Sequence, residues 1–280
     1  MAESKTLNTM RRTGAIFLGA IIALAAILSS CSDDAEGHGN PPELPPSASL
    51  SVNLGNFPQN EGGRVDAASA SGNFAFAAIN VAVWQTIIGG AIVIPAVAFE
   101  GATDQTFQYS ESEGKWISEY TVGTGGKLIT AELLAEVTGE TVIWEMYLSQ
   151  DGSFDRFLWF TGESRVDNSG GEWTLYASPQ RPVEVLTIDW DRVEGEAINS
   201  LFTLVDADNS KINSYIEYGL TSEAGFSHYY DVSITDTAGD DYDLYIYFNE
   251  ETKVGRVKST AYFGDDTWRC WDETLEDTDC

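Results

Sequence analysis

The sequence has 280 residues, and 44 acidic against 15 basic side chains give it a formal net charge of −29. Charge of this sign repels the phosphates of nucleic acids and anionic lipid headgroups, so the composition argues against both as partners. Hydrophobic residues make up 43% of the chain and aromatic residues 12%, which excludes a mainly disordered protein. The length is sufficient for one large β domain behind an N-terminal targeting segment.

The N-terminal residues have the pattern of an export signal. Lys5, Arg11 and Arg12 form a basic region, and an apolar stretch covers residues 13–28. A basic start followed by an apolar run of this length is typical of a segment that enters the secretion machinery. We therefore predict that residues 1–30 direct the chain out of the cytoplasm.

The motif that ends this stretch is Leu28-Ser29-Ser30-Cys31. It resembles the lipobox of bacterial lipoproteins, in which an aliphatic residue and two small residues precede a cysteine. The resemblance implies cleavage before Cys31, diacylglycerol on the Cys31 thiol and acylation of the new amino group. An ordinary cleaved signal and a signal anchor are the alternatives.

An acidic cluster follows the lipidation motif. Asp33, Asp34 and Glu36 lie directly behind Cys31, and this arrangement resembles the export signal of Bacteroidota surface lipoproteins. Ser32 occupies the position at which an acidic residue retains lipoproteins in the inner membrane of enteric bacteria. We therefore predict an outer-membrane lipoprotein held through lipid on Cys31. A solvated tether without a sorting role is the alternative interpretation of the acidic cluster.

Residues 31–49 are predicted to be the lipidated cysteine and a polar tether. Four prolines stiffen this stretch: Pro41, Pro42, Pro45 and Pro46. Residues 50–280 are then predicted to form a single β-rich domain.

An apolar segment within that domain, residues 74–99, contains no charged side chain. Its alanine-rich first half predicts a helix over residues 74–85, interrupted by Gly89-Gly90 and Pro95 and followed by an extended run over residues 91–99. Basic flanks typical of a membrane span are missing. We predict that the segment is the buried centre of the domain, with a second membrane element as the alternative.

Short β-strands separated by turn residues fill the rest of the chain. Apolar and polar residues alternate in several of them, and the short loops predict antiparallel pairing. The predicted strands cover residues 106–112, 115–122, 127–137, 141–149, 154–163, 172–177, 183–190, 197–205, 211–218, 226–235, 242–249, 254–263 and 267–271.

The fold class that follows is all-β with a minor α component. A meander of this length must curl because sheets twist, and the apolar segment is available to fill the curl. We predict a half-barrel or barrel around one apolar helix, with a β-sandwich as the alternative. This plan resembles the half-barrel around a helix of bacterial lipoprotein carriers, a likeness of architecture without a shared motif.

Three cysteines are present, and lipid on Cys31 leaves Cys270 and Cys280. An even remainder in an oxidising compartment predicts a disulfide between these two residues. Two free thiols are the alternative.

The sequence contains no motif that carries known chemistry. The nucleophile elbow, the zinc-protease helix, the C-x-x-C pair and the P-loop do not occur. His228 is the one histidine outside the tether, so a zinc site or a Ser-His-Asp triad would have to be built on it. We predict no catalytic residue, no metal site and no cofactor.

Two weaker signals remain. Residues 206–217 partly match a calcium-binding EF-hand loop, but Lys211 replaces the required glycine and the context predicts a hairpin. Trp116, Trp144 and Trp173 could stack on sugars, although tryptophans on strands more often pack in the core.

The function predicted from these signals is that of a membrane-anchored envelope lipoprotein with a non-enzymatic binding or scaffolding role. One alternative is a carrier that holds a lipid or other apolar ligand inside the curled sheet. A second alternative is a surface protein that binds or hydrolyses glycans. A packed interior would argue against the carrier.

Overall fold

The computed structural model describes residues 38–51, 57–58, 72–193 and 198–280. The predicted signal peptide, which includes Leu28, Ser29 and Ser30, and the predicted lipidation site Cys31 lie outside these ranges. The predictions that rest on them remain predictions.

One long helix and a meander of strands make up the described chain. Helix α1 spans Asn73–Gly101, and the one-turn helix α2 spans Thr260–Phe263. Short 3-10 turns lie at Ser47–Leu50 and Ala102–Asp104. The strands are β1 Gln108–Ser110, β2 Lys115–Thr124, β3 Lys127–Thr138, β4 Thr141–Gln150, β5 Phe154–Arg165, β6 Gly170–Ser178, β7 Arg181–Arg192, β8 Ile198–Leu204, β9 Tyr215–Leu220, β10 His228–Ile234, β11 Tyr242–Phe248, β12 Gly255–Lys258, β13 Arg269–Trp271 and β14 Asp277–Thr278.

All fourteen described strands belong to one antiparallel sheet in which each strand pairs with its neighbours in sequence. Strands β1 and β14 are its edges, so the sheet is open and does not form a barrel. Helix α1 contacts strands of both halves, including β2, β6, β7, β12 and β13, because the sheet curls around it. The prediction of a curled all-β meander around one helix is confirmed, and the β-sandwich alternative is wrong.

The inner face of the sheet is apolar because the strands alternate as predicted. In β4, Val142, Trp144, Met146 and Leu148 are fully or almost fully buried and point to the concave side. Register shifts interrupt the pairing of β4 with β5 and of β6 with β7. Such bulges increase local twist and help a long sheet to curl.

Helix α1 is one continuous helix of 29 residues, so the predicted break is wrong. Gly89, Gly90 and Pro95 all lie inside it. A glycine costs about 1 kcal/mol relative to alanine in a helix interior and a proline about 3 kcal/mol. Packing of the helix against the sheet outweighs these local costs, and Pro95 is itself buried in that contact.

The buried side of α1 is a stripe with helical spacing. Its members are Phe74, Ala75, Ala77, Ala78, Val81, Trp84, Ile88, Ile92, Pro95, Ala98 and Phe99. The opposite side faces solvent, where Ile79 is 39%, Val83 46% and Val93 54% exposed. The prediction that the apolar segment is the buried centre of the domain is therefore correct for the stripe that faces the sheet and wrong for the exposed side. By length and composition α1 could cross a membrane, and one third of its most apolar window is buried in the domain.

The last part of the predicted tether is docked on the domain. Ser49 and Leu50 are completely buried. The indole nitrogen of Trp173 donates a hydrogen bond to Ser49 Oγ at 3.2 Å, and Asn168 Nδ2 donates one to the carbonyl of Leu44 at 3.1 Å. The packed domain therefore includes residues before position 50, the predicted boundary.

The C-terminal end of the chain holds the first turn of α1. Cys270 and Cys280 are paired in the structure as predicted, with their Cα atoms 5.2 Å apart. Between them, Asp277 accepts a hydrogen bond from the backbone N–H of Asn73 at 2.7 Å. Asn73 Nδ2 donates to the carbonyl of Cys270 at 3.0 Å. A carboxylate at a helix N-terminus satisfies a free N–H group and interacts favourably with the helix dipole.

The two sides of α1 predict opposite effects of one added charge. Ala78→Asp places an unpaired carboxylate at a position that is 1% exposed, and this costs several kcal/mol of the roughly 5–15 kcal/mol that stabilise a domain. Val83→Asp places the same group in solvent and should lower the free energy of unfolding by about 1 kcal/mol or less. Urea unfolding of both variants measures the difference. Equal losses would contradict the assignment of the two sides.

Candidate functional site

The three tryptophans considered for sugar stacking are core residues. Trp116 is 7% exposed, and Trp144 and Trp173 are not exposed at all. Trp144 Nε1 donates a hydrogen bond to Ser164 Oγ at 2.9 Å, which satisfies its polar atom inside the sheet. Their ring faces are therefore not available to a glycan.

His228 is held as a structural residue by its surroundings. Its ring lies between Tyr218 and Phe248, with centroids 5.5 and 5.4 Å away. Nδ1 lies 2.8 Å from Ser227 Oγ, and Nε2 lies 4.0 Å from a carboxylate oxygen of Glu250. Burial lowers the pKa of His228, and the nearby Glu250 partly opposes that shift.

The hydroxyl beside this histidine is engaged by the main chain. Ser227 Oγ accepts a hydrogen bond from the N–H of Glu250 at 3.1 Å. It also lies 3.4 Å from the carbonyl of Phe248, to which it can donate. These contacts link the ends of β10 and β11, so the group connects two strands.

The partial EF-hand match forms a turn and not a cation loop. Both carboxylate oxygens of Asp206 accept hydrogen bonds from Arg181, and one of them also accepts from the N–H of Asp208 at 3.1 Å. Lys211 pairs with Asp236 on a neighbouring loop. Among the described residues, no group of three or more potential ligands is close enough to hold a metal ion.

A half-buried carboxylate lies on the outer face of β10. Asp231 pairs across the sheet with Glu217 on β9 and Tyr245 on β11. Desolvation raises the pKa of Asp231 to about 6, and the like charges of Glu217 and Asp243 add to the shift. Tyr229 donates a hydrogen bond to Glu217 at 2.5 Å. Sequence reasoning missed this cluster because its members come from separate strands.

A concave apolar surface lies between the N-terminal half of α1 and α2. This feature, the α1–α2 groove, has a volume of about 620 Å³. Its lining residues are Gly72, Ala75, Phe76, Ile79, Asn80, Asp240, Asp241, Tyr242, Ala261 and Tyr262. Two helices and the loop that enters β11 therefore build it together.

A stacked aromatic pair forms one wall of the groove. The rings of Phe76 and Tyr262 are parallel within 19°, and their centroids are 3.9 Å apart. Phe263 packs edge-on against Phe76 at 5.2 Å. Tyr262 is nevertheless 64% exposed, so most of its ring surface remains accessible.

A single polar pair lies among the apolar lining residues. The Tyr242 hydroxyl donates a hydrogen bond to Asn80 Oδ1 at 3.1 Å, and Asn80 Nδ2 donates to the carbonyl of Phe76 at 2.8 Å. Burial raises the pKa of Tyr242, so its hydroxyl remains protonated at neutral pH. The pair is satisfied internally and fixes the orientation of β11 against α1.

Helix α2 replaces the end of a predicted strand, residues 254–263. Strand β12 ends at Lys258, and the chain then turns through α2 to Gly264, which has a left-handed φ of 78°. A glycine in this conformation commonly ends a helix, so Gly264 was the sequence signal that could have indicated a helix here. Ser259 does not cap α2 with its side chain; its hydroxyl donates to the carbonyl of Asp243 at 2.7 Å.

Beyond the groove, the exposed side of α1 continues as an uncharged face. Ile79, Val83, Thr86, Gly90 and Val93 are exposed along it and follow one another at alternating intervals of four and three residues. Residues at these intervals lie on one side of a helix. The face remains uncharged over about four turns, and the groove occupies its N-terminal end.

No protein-family model, no curated protein and no solved structure matches the chain.

The raised pKa of Asp231 predicts a pH-dependent effect of Asp231→Asn. A folded-state pKa of about 6, above the usual 3.8, means that ionisation of Asp231 opposes folding. The stability that protonated Asp231 contributes is complete below about pH 3.8 and is lost as the pH rises through 6. The melting temperature of Asp231→Asn minus that of the wild type should therefore increase between pH 4.5 and pH 7.5.

Asp151→Asn, on the exposed turn between β4 and β5, is the matched control. Both variants lose one negative charge, and His228 titrates equally in all three proteins. A difference in melting temperature that is constant with pH for Asp231→Asn, or that changes equally in the control, would contradict the prediction.

Proposed function

We propose that the protein is an outer-membrane lipoprotein, anchored through lipid on Cys31, whose β domain binds an apolar ligand without catalysing a reaction. The observation that carries the binding role is the α1–α2 groove. Its volume of about 620 Å³ lies within the range typical of small-molecule sites. Apolar and aromatic walls with a few fixed polar groups are also typical of such sites.

The packing of α1 supports a ligand site outside the sheet. Trp84 and Ile88 are each 1% exposed where the helix meets the concave face. Phe99 also packs edge-on against Trp173 of β6 at 5.3 Å. This close contact argues against the carrier alternative in which a lipid lies between helix and sheet. The α1–α2 groove is formed on the other side of the same helix, and it supports a carrier that holds its ligand there.

The chemistry of the described residues supports a role in binding. The histidine is enclosed by aromatic rings, and Ser227 beside it is engaged by the main chain. The groove instead offers apolar contact surface. Phe76, Ile79 and Tyr262 present carbon atoms, and the Tyr242 hydroxyl is engaged by a hydrogen bond to Asn80. Burial of carbon surface contributes about 25 cal/mol per Å², which is the main source of affinity available here.

Lipid attachment is tested by metabolic labelling with a fatty acid. The wild type should be labelled, and Cys31→Ser should lose the label because no thiol remains at the lipobox. Cys280→Ser is the matched control: it also removes one thiol, and it should keep the label. Labelling that persists in Cys31→Ser would overturn the anchor.

Ligand binding is tested with N-phenyl-1-naphthylamine, a neutral apolar dye whose fluorescence rises on transfer from water. A chain of residues 32–280 keeps every described residue and lacks the lipidated cysteine. We expect it to bind the dye. Ile79→Asp should weaken binding roughly 10- to 100-fold, because the variant loses about 1.5–3 kcal/mol of apolar contact.

Val93→Asp is the control for this experiment. It places the same charge on the same exposed side of α1 but outside the groove, so its affinity should equal that of the wild type. Failure of the wild type to bind, or equal losses in Ile79→Asp and Val93→Asp, would overturn the proposal.

A further inference from the structure

The rim of the α1–α2 groove is acidic. Asp240 and Asp241 line it on the loop before β11, and its lining residues include neither lysine nor arginine. A neighbouring recess shares Asp241 and adds Asp243 and Asp266. The cation in that recess, Lys258, is paired with Asp266 at 3.0 Å. The groove therefore opens into a region of negative potential.

The rim carboxylates are not neutralised by the nearby lysine. Lys211 pairs with Asp236, which lies on the same loop as the rim. Asp241 accepts a hydrogen bond from the backbone N–H of Asp236 at 2.7 Å, and its other oxygen remains available. Asp240 is exposed and has no hydrogen bond or ion pair among the described residues. Within the described part of the chain, two carboxylates at the mouth of the apolar groove thus lack a cationic partner.

We propose that the ligand of the groove is a cationic amphiphile, a molecule with an apolar chain and a positively charged head. This inference rests on the proposed function. The chain would contact Phe76 and Ile79, and the head would lie beside Asp240 and Asp241. Tyr262 adds a second attraction, because its exposed ring can interact with a cation through its π electrons.

Charge complementarity distinguishes this ligand from a fatty acid or an alcohol of equal length. The rim repels a carboxylate or sulfate head, and it gives a neutral head no charge attraction. One solvent-exposed ion pair corresponds to a preference of at most about fivefold, and salt screens it. The selectivity should therefore decrease at high ionic strength while the apolar contribution persists.

The test uses the mature lipidated chain in nanodiscs of zwitterionic phosphatidylcholine. Three photoreactive probes share one twelve-carbon diazirine chain and differ in the head: trimethylammonium, hydroxyl or sulfate. Irradiation attaches each probe where it binds, and peptide mass spectrometry locates and quantifies the attachment. Because the readout is positional, partition of the probes into the bilayer does not count as binding.

We expect labelling of residues 72–80 and 260–263, up to about fivefold stronger for the cationic than for the neutral probe and weakest for the sulfate. In 0.5 M salt the three yields should converge. Asp240→Asn combined with Asp241→Asn should equalise the cationic and neutral probes. Tyr262→Ala should reduce labelling by both the cationic and the neutral probe, because it removes the aromatic wall.

Two failures are distinguishable. Equal labelling of the wild-type groove by all three probes would overturn the inference of a cationic head and leave the apolar site intact. Absence of labelling at the groove with every probe would overturn the proposed function as well. Asp151→Asn combined with Asp155→Asn removes two charges at the β4–β5 turn and should keep the cationic preference. Loss of the preference in this control would assign it to the net charge of the protein and also overturn the inference.

Discussion

The contact between the buried stripe of α1 and the concave face of the sheet is the interaction on which the structure depends. An open sheet of fourteen strands would otherwise expose its apolar inner face to water. Phe74 packs edge-on against Trp271 of β13 at 5.7 Å, and Phe99 packs against Phe160 of β5 at 6.0 Å. The helix therefore connects the early and late strands, which do not hydrogen-bond to each other, and keeps the sheet curled.

Much of this fold could be predicted because its signals are local. Alternation in β4 and β11 and turn residues between strands identify a meander without reference to distant contacts. The disulfide followed from the number of cysteines and the expected compartment. Helix α1 was harder, since Gly89, Gly90 and Pro95 have unfavourable local propensities that tertiary packing overrides. A uniformly apolar sequence also cannot show which side of a helix remains uncovered.

The groove was not predictable, and the reason is its assembly from distant segments. Phe76 and Tyr262 stack although 186 positions separate them, and Asp240 joins them from a third segment. Each of these residues taken alone is ordinary for a helix or a loop. The outer cluster around Asp231 has the same origin, since cross-strand neighbours from three hairpin-connected strands meet only once the register is set.

The hydrogen bond between Asp277 and Asn73 has a consequence for the order in which the chain can fold. The two residues are 204 positions apart, so the first turn of α1 gains this cap only after the last strand has been synthesised. The strands can form earlier, because each pairs with its neighbour and short-range pairing is kinetically fast. Until β12 and β13 are in place, the N-terminal half of α1 lacks its contacts with them, and a chaperone that shields apolar segments would act on this stage.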